Sequence, residues 1–114
     1  MPVTTIQVGS PNWERKAQKA IDEKKSVKLV VKGMVAQTAA EALRRNPGVS
    51  MVTGAEVAIT ATIVIGIIAV VGLGVVAAVC LYGISKGYKI KVRHRTKGPM
   101  PFDDELCFNL VPPA

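Results

Sequence analysis

From Val57 to Ile84 the chain carries no charge: VAITATIVIGIIAVVGLGVVAAVCLYGI. A bilayer core asks for about 20 apolar residues in a helix. At about 1.5 Å per residue this stretch would reach about 42 Å, enough to cross with tilt. It predicts a single transmembrane helix. A helix buried in a water-soluble core is a competing reading, but a chain of 114 residues has little else to wrap one that is apolar all round. A helical hairpin turning at Gly72-Leu73-Gly74 is another; each arm would be too short to cross, so it would lodge in one leaflet. A membrane β-hairpin would alternate polar and apolar residues, which this stretch does not.

Small or slim residues recur through the run at Ala58, Thr62, Gly66, Ala69, Gly72, Ala77, Cys80 and Gly83. Most gaps are three or four, so on one continuous helix they lie near one side. Small residues let helix backbones pack closely in lipid. The opposite side holds Ile63, Ile67, Val71 and Leu81. With only one span in the chain, such a stripe predicts self-association or a partner span.

The chain of 114 residues has net charge +7, and its length allows at most one small domain plus a membrane anchor. Cys80 and Cys107 fall on separate elements, so a disulfide is not expected. One His and two scattered Cys give no metal spacing. Residues 1–10 lack the basic and apolar regions of a signal peptide, so the apolar run is expected to act as an internal anchor or to insert after synthesis.

Taken in order, 1–10 reads as an extended lead-in with Val3, Ile6 and Val8. Ser10-Pro11 suits a helix start, since Ser caps well and Pro lacks an N–H that would find no partner there. Over 11–45 a helical pattern places Trp13, Ala17, Ala20, Ile21, Val27, Val31, Met34, Val35 and Leu43 roughly on one face. This predicts one basic amphipathic helix, or two short ones broken near Ser26 or Gly33. Such a helix with Trp13 can lie on an anionic bilayer, pack against other subunits or attract nucleic-acid phosphate. Asn46-Pro47-Gly48 opens a turn over 46–53. Thr53-Gly54-Ala55-Glu56 fits a capping box that would start the membrane helix, placed at 54–85.

Tyr82 and Tyr88, on either side of Ile84, would mark the lipid interface together with Trp13. Residues 88–95 alternate strictly: Tyr88, Ile90, Val92 and His94 against Lys89, Lys91, Arg93 and Arg95. That period of two predicts a strand. Lys97-Gly98-Pro99-Met100-Pro101 reads as a loop. Leu106, Phe108 and Leu110 then alternate as a second strand, so 86–114 predicts a β-hairpin. The cations Lys86, Lys89, Lys91, Arg93, Arg95 and Lys97 could contact lipid headgroups or other phosphates. His94 sits in this basic row, where protonation is disfavoured.

The sequence thus predicts a mainly α membrane protein: a basic amphipathic helix region, one transmembrane helix and a short C-terminal β-hairpin. The lipid bilayer and further copies of the chain are the expected partners, with nucleic acid third. No catalytic motif, cofactor loop or metal site is found. The leading function is a self-assembling pore-forming or membrane-perturbing protein. The alternatives are a structural subunit of a membrane-containing virion or filament, and a membrane-anchored adaptor whose basic ends bind lipid headgroups, nucleic acid or a protein. Cation count around the span favours a cytoplasmic C-terminus.

Overall fold

The computed structural model describes residues 3–46, 49, 56–96 and 104–113. Its elements in chain order are β1 (Val3–Gln7), α1 (Trp13–Asp22), β2 (Ser26–Lys32), α2 (Met34–Arg44) and β3 (Glu56–Ile59). A short α3 (Ala61–Ile63) then runs into a π-helical stretch, Val64–Ile68. α4 (Gly74–Ser85), β4 (Lys89–Thr96) and β5 (Asp104–Val111) complete the fold. The strands form one five-stranded sheet in the order β1-β2-β5-β4-β3. β1 and β2 are parallel and the other neighbours antiparallel.

The described helices cover one face of this sheet. Period-two alternation turns Ile6, Val27, Leu29, Val31, Leu106, Phe108, Leu110, Ile90, Val92 and Ile59 towards them. From above come Trp13, Ala17 and Ile21 of α1, Ala36, Ala39 and Leu43 of α2, and Val64, Ile68, Val76, Val79 and Cys80. The many Ala residues let the helices approach the sheet closely. Burial of this apolar area is the main force holding the two layers together.

The N-terminal region is not one long helix. α1 ends in a Schellman-type reversal, with the N–H of Lys25 donating to the Ala20 carbonyl at 2.9 Å and that of Lys24 to Ile21 at 3.0 Å. Lys24 takes the left-handed conformation there, φ 59°. Left-handed backbone usually belongs to Gly, so the sequence gives no warning of the turn. The chain then extends as β2, whose Val27, Val30 and Val31 are β-branched and suit a pleated buried surface. α1 itself starts at Trp13 behind Asn12, not at Ser10-Pro11. Gly33, φ 85°, makes the turn into α2.

The expected transmembrane helix is absent. Its first residues, Val57 to Ile59, belong to β3 and pair with Ile90 to Val92 of β4. Thr60 then caps the next turn, its Oγ1 accepting from the Ile63 N–H at 3.4 Å. After the π-helical stretch the chain reverses at Gly72, φ 90°, and returns as α4. Gly72-Leu73-Gly74 is therefore the turn of a helical hairpin, as one alternative reading had it. The hairpin packs on the chain's own core. Val64 and Ile68 are fully buried, whereas Ile65 is 57% exposed and Val70 79%. Both faces of the hairpin are apolar, so hydropathy cannot tell which one is covered. Among the described residues no helix is long and apolar enough to cross a membrane. The mainly α single-pass architecture, the membrane localisation and the cytoplasmic C-terminus that depended on that span are overturned together.

The alternation in 88–95 does form a strand, and β4 pairs antiparallel with β5. They do not make a free-standing hairpin, since β2 and β3 flank them. Pro47, Gly48, Thr53 to Ala55 and the Lys97–Pro101 loop lie outside the described residues. Glu56, expected in the helix cap, is the first residue of β3.

Candidate functional site

Among the described residues no helix covers the second face of the sheet. Because helix-facing and outward residues alternate, the register sorts the outward ones into rows across all five strands. One row reads Thr5, Lys28, Asn109, Lys91, Ala58. The next reads Gln7, Val30, Cys107, Arg93, Glu56. A third sets Glu105 between Lys32 and Arg95. Lys89 stands opposite Val111 at the end of β4.

These rows differ in charge balance. Arg93 faces Glu56, and Arg95 and Lys32 face Glu105, so each of those cations has a carboxylate in register. Lys28 and Lys91 have none: they flank the amide of Asn109. A groove of about 460 Å³ lies over this part of the face, lined by residues of every strand, among them Thr5, Ser26, Lys28, Asn109, Lys91 and Glu56. Four strand spacings of about 4.8 Å make it about 19 Å across.

Cys107 lies under the groove and is buried. Its thiol donates to Glu105 Oε1 at 3.3 Å. Burial, and then this hydrogen bond to the carboxylate, push the thiol above its ordinary range. Both effects favour the protonated thiol, the less nucleophilic form. Cys80, buried in α4, is pushed up to about 12 by desolvation.

The helix-facing side holds one buried polar cluster. Arg44 Nη2 stands 2.7 Å from His94 Nδ1. A guanidinium has only donors, so Nδ1 accepts and the ring proton sits on Nε2. Nε2 faces Asp104 Oδ2 at 3.4 Å, too loosely for a well-formed hydrogen bond. With His94 only 3% exposed, the set clamps the end of α2 to β4 and β5 and offers no access to a substrate. His94 is thus not part of the basic row.

The residues expected to make one packing stripe are scattered. Ala58 is on the open sheet face; Thr62, Gly66, Ala69 and Gly72 are exposed along the hairpin; Ala77, Cys80 and Gly83 are buried in α4. Gly83 packs closely in the core: a Cβ there would lie 3.1 Å from Leu110 Cδ2, so the leucine would have to give way. The aromatic residues expected at a lipid interface are tied into the fold. Trp13 is buried. Tyr88 is buried too, its hydroxyl donating to the Lys25 carbonyl at 2.8 Å. Tyr82 donates to Asp22, with Lys86 Nζ 5.5 Å from its ring centre. Of the six expected phosphate contacts, Lys89, Lys91, Arg93 and Arg95 share the open face; Lys86 lies off it at the end of α4, and Lys97 is outside the described residues. Sequence reading missed Lys28, Asn109 and Thr5. The K-L-V-V-K pattern of β2 was the available signal, masked by an equally good helical one.

Among the described residues no group of His, Cys, Asp and Glu could hold a metal ion. No family model matches the chain, and no curated protein or solved structure is similar to it.

Proposed function

We propose that the chain is a binding module that holds the phosphate backbone of a single-stranded nucleic acid across the open face of its sheet. The observation that carries this reading is the row Thr5, Lys28, Asn109, Lys91, in which two cations without a carboxylate in register flank an amide inside a groove. Lysine offers a point charge to phosphate, and Thr5, Ser26 and Asn109 offer hydrogen bonds. The groove is about 19 Å across, so it holds only a few nucleotides of an extended strand. Among the described residues no aromatic side chain stands on this face, so bases find no stacking platform. Binding is therefore insensitive to sequence and driven by counterion release. A groove across a sheet suits one chain of regularly spaced charges better than a plane of lipid headgroups.

The test is fluorescence anisotropy of a labelled oligo-dT across a salt series. The two lysines of the groove, Lys28 and Lys91, give a log–log salt slope of about −1.4. The double variant Lys28→Ala/Lys91→Ala should flatten it by about 1.4, while Lys86→Ala leaves it nearly unchanged. No binding at low salt, equal loss in the Lys86 variant, or binding only to anionic vesicles would overturn the reading.

A further inference from the structure

We infer that the nucleic acid held on the open face continues past β1, turning over that edge of the sheet to reach Lys16 and Lys19 of α1. The inference rests on the open-face reading proposed above and extends it to a second groove. This groove, about 300 Å³, is lined by Thr5 of β1 and by Lys16, Lys19, Glu23 and Lys25. Thr5 also lines the groove of the open face, and it stands in register with Lys28. The row Thr5, Lys28, Asn109, Lys91 therefore ends where the second groove begins. The two grooves meet again at adjacent residues, since Lys25 lines one and Ser26 the other.

The second groove has the chemistry of a polyanion site. Three cations stand against one acid there, and Glu23 is already held by Lys25 at 2.7 Å. Lys16 and Lys19 are exposed and form no salt bridge among the described residues. Three residues apart on α1, they share one side of the helix. The other acids of α1 are turned away from β1: Asp22 accepts from Tyr82 of α4, and Glu14 lines a groove at Gly72. β1 is an edge strand. The N–H of Val8 donates to Val30 of β2 at 2.9 Å, so strand alternation turns the N–H of Thr5 outward, a further donor for phosphate. A flexible single strand can turn this edge, whereas a duplex with a persistence length of about 50 nm cannot. One strand in both grooves meets four lysines, Lys91, Lys28, Lys19 and Lys16, instead of two. A short acidic peptide would fill the second groove alone and gain nothing from its junction with the first.

Anisotropy titrations with two lengths of labelled oligo-dT test this, about four nucleotides for the open face alone and about twelve for both grooves. The short probe reports on the open-face reading: its log–log salt slope should be about −1.4 and should depend on Lys28 and Lys91. The long probe should give about −2.8. The double variant Lys16→Ala/Lys19→Ala should return the long probe to about −1.4 and leave the short one unchanged. If neither probe binds, the open-face reading fails and the inference with it. If both bind with the same slope, or if the double variant weakens the two probes equally or not at all, the inference alone fails. A double variant that loses a poly-glutamate peptide but keeps the long probe would also overturn it, and would assign the groove to acidic protein segments.

Discussion

Replacing Ile68 by Ala should cost far more stability than replacing Ile65 by Ala, although both sit one turn apart in the same uncharged run. Ile68 is fully buried in the core, on a stretch packed against α2 and α4, while Ile65 is 57% exposed. Ile→Ala removes three carbons, and at about 0.8 kcal/mol per buried methylene the transfer loss at Ile68 is about 2.4 kcal/mol. The cavity left in a packed interior raises this to about 3–4 kcal/mol. At Ile65 less than half of the transfer loss applies and no sealed cavity forms, leaving about 1 kcal/mol. Against a total stability of about 5–15 kcal/mol, the first change is severe and the second mild. Urea unfolding followed by the emission of the buried Trp13, the chain's single Trp, measures both. The melting temperatures of the two variants should differ by about 10 °C. Equal losses, or a larger loss at Ile65, would refute the placement of the hairpin on the core.

Other outcomes follow from the same packing. Gly72→Ala should destabilise by about 1–2 kcal/mol, because Gly72 holds φ 90°; Gly66→Ala, in right-handed backbone with open space around it, should be neutral or slightly stabilising, and chemical denaturation separates the two. Tyr88→Phe removes a buried donor to the Lys25 carbonyl and should cost about 1–2 kcal/mol, whereas Tyr82→Phe should stay within about 0.5 kcal/mol. The Cys80 thiol is raised from 9.0 to about 12, so the folded chain holds a proton that the unfolded chain releases. Its contribution is full below pH 9 and is lost as pH rises towards 12; thermal melts of Cys80→Ala should fall less steeply across that window than those of the parent.

Where side chains alternate in polarity, the sequence reveals the structure. Lys89, Lys91, Arg93 and Arg95 against Ile90, Val92 and His94 identified β4 and half of the basic face. Leu106, Phe108 and Leu110 likewise identified β5. Two kinds of segment were illegible for physical reasons. In β2, Val27, Leu29 and Val31 satisfy a strand period, while Val27, Val31, Met34 and Val35 satisfy a helical one; only the reversal at Lys24 decides, and Lys carries no turn signal. In Val57–Ile84 hydropathy is uniform, so the difference between the buried Ile68 and the exposed Val70 leaves no trace in residue type. Gly72 marked the hairpin turn, but a single Gly is equally at home in a membrane helix. The cross-strand row of Thr5, Lys28, Asn109 and Lys91 draws on four separate strands, so it exists only once the sheet order is known.

The central claim is that the apolar run is divided between a sheet and a hairpin packed on the core. Nuclear Overhauser contacts between the backbone protons of Ala58 and Lys91, and of Val57 and Val92, test it most directly, because these residues are register partners in β3 and β4. Both contacts should appear in detergent-free buffer, with helical contacts beginning only after Thr60 and interrupted at Gly72. Continuous helical contacts from Val57 through Ile84, with no cross-strand contact at Lys91 or Val92, would contradict the fold and the basic row built on it.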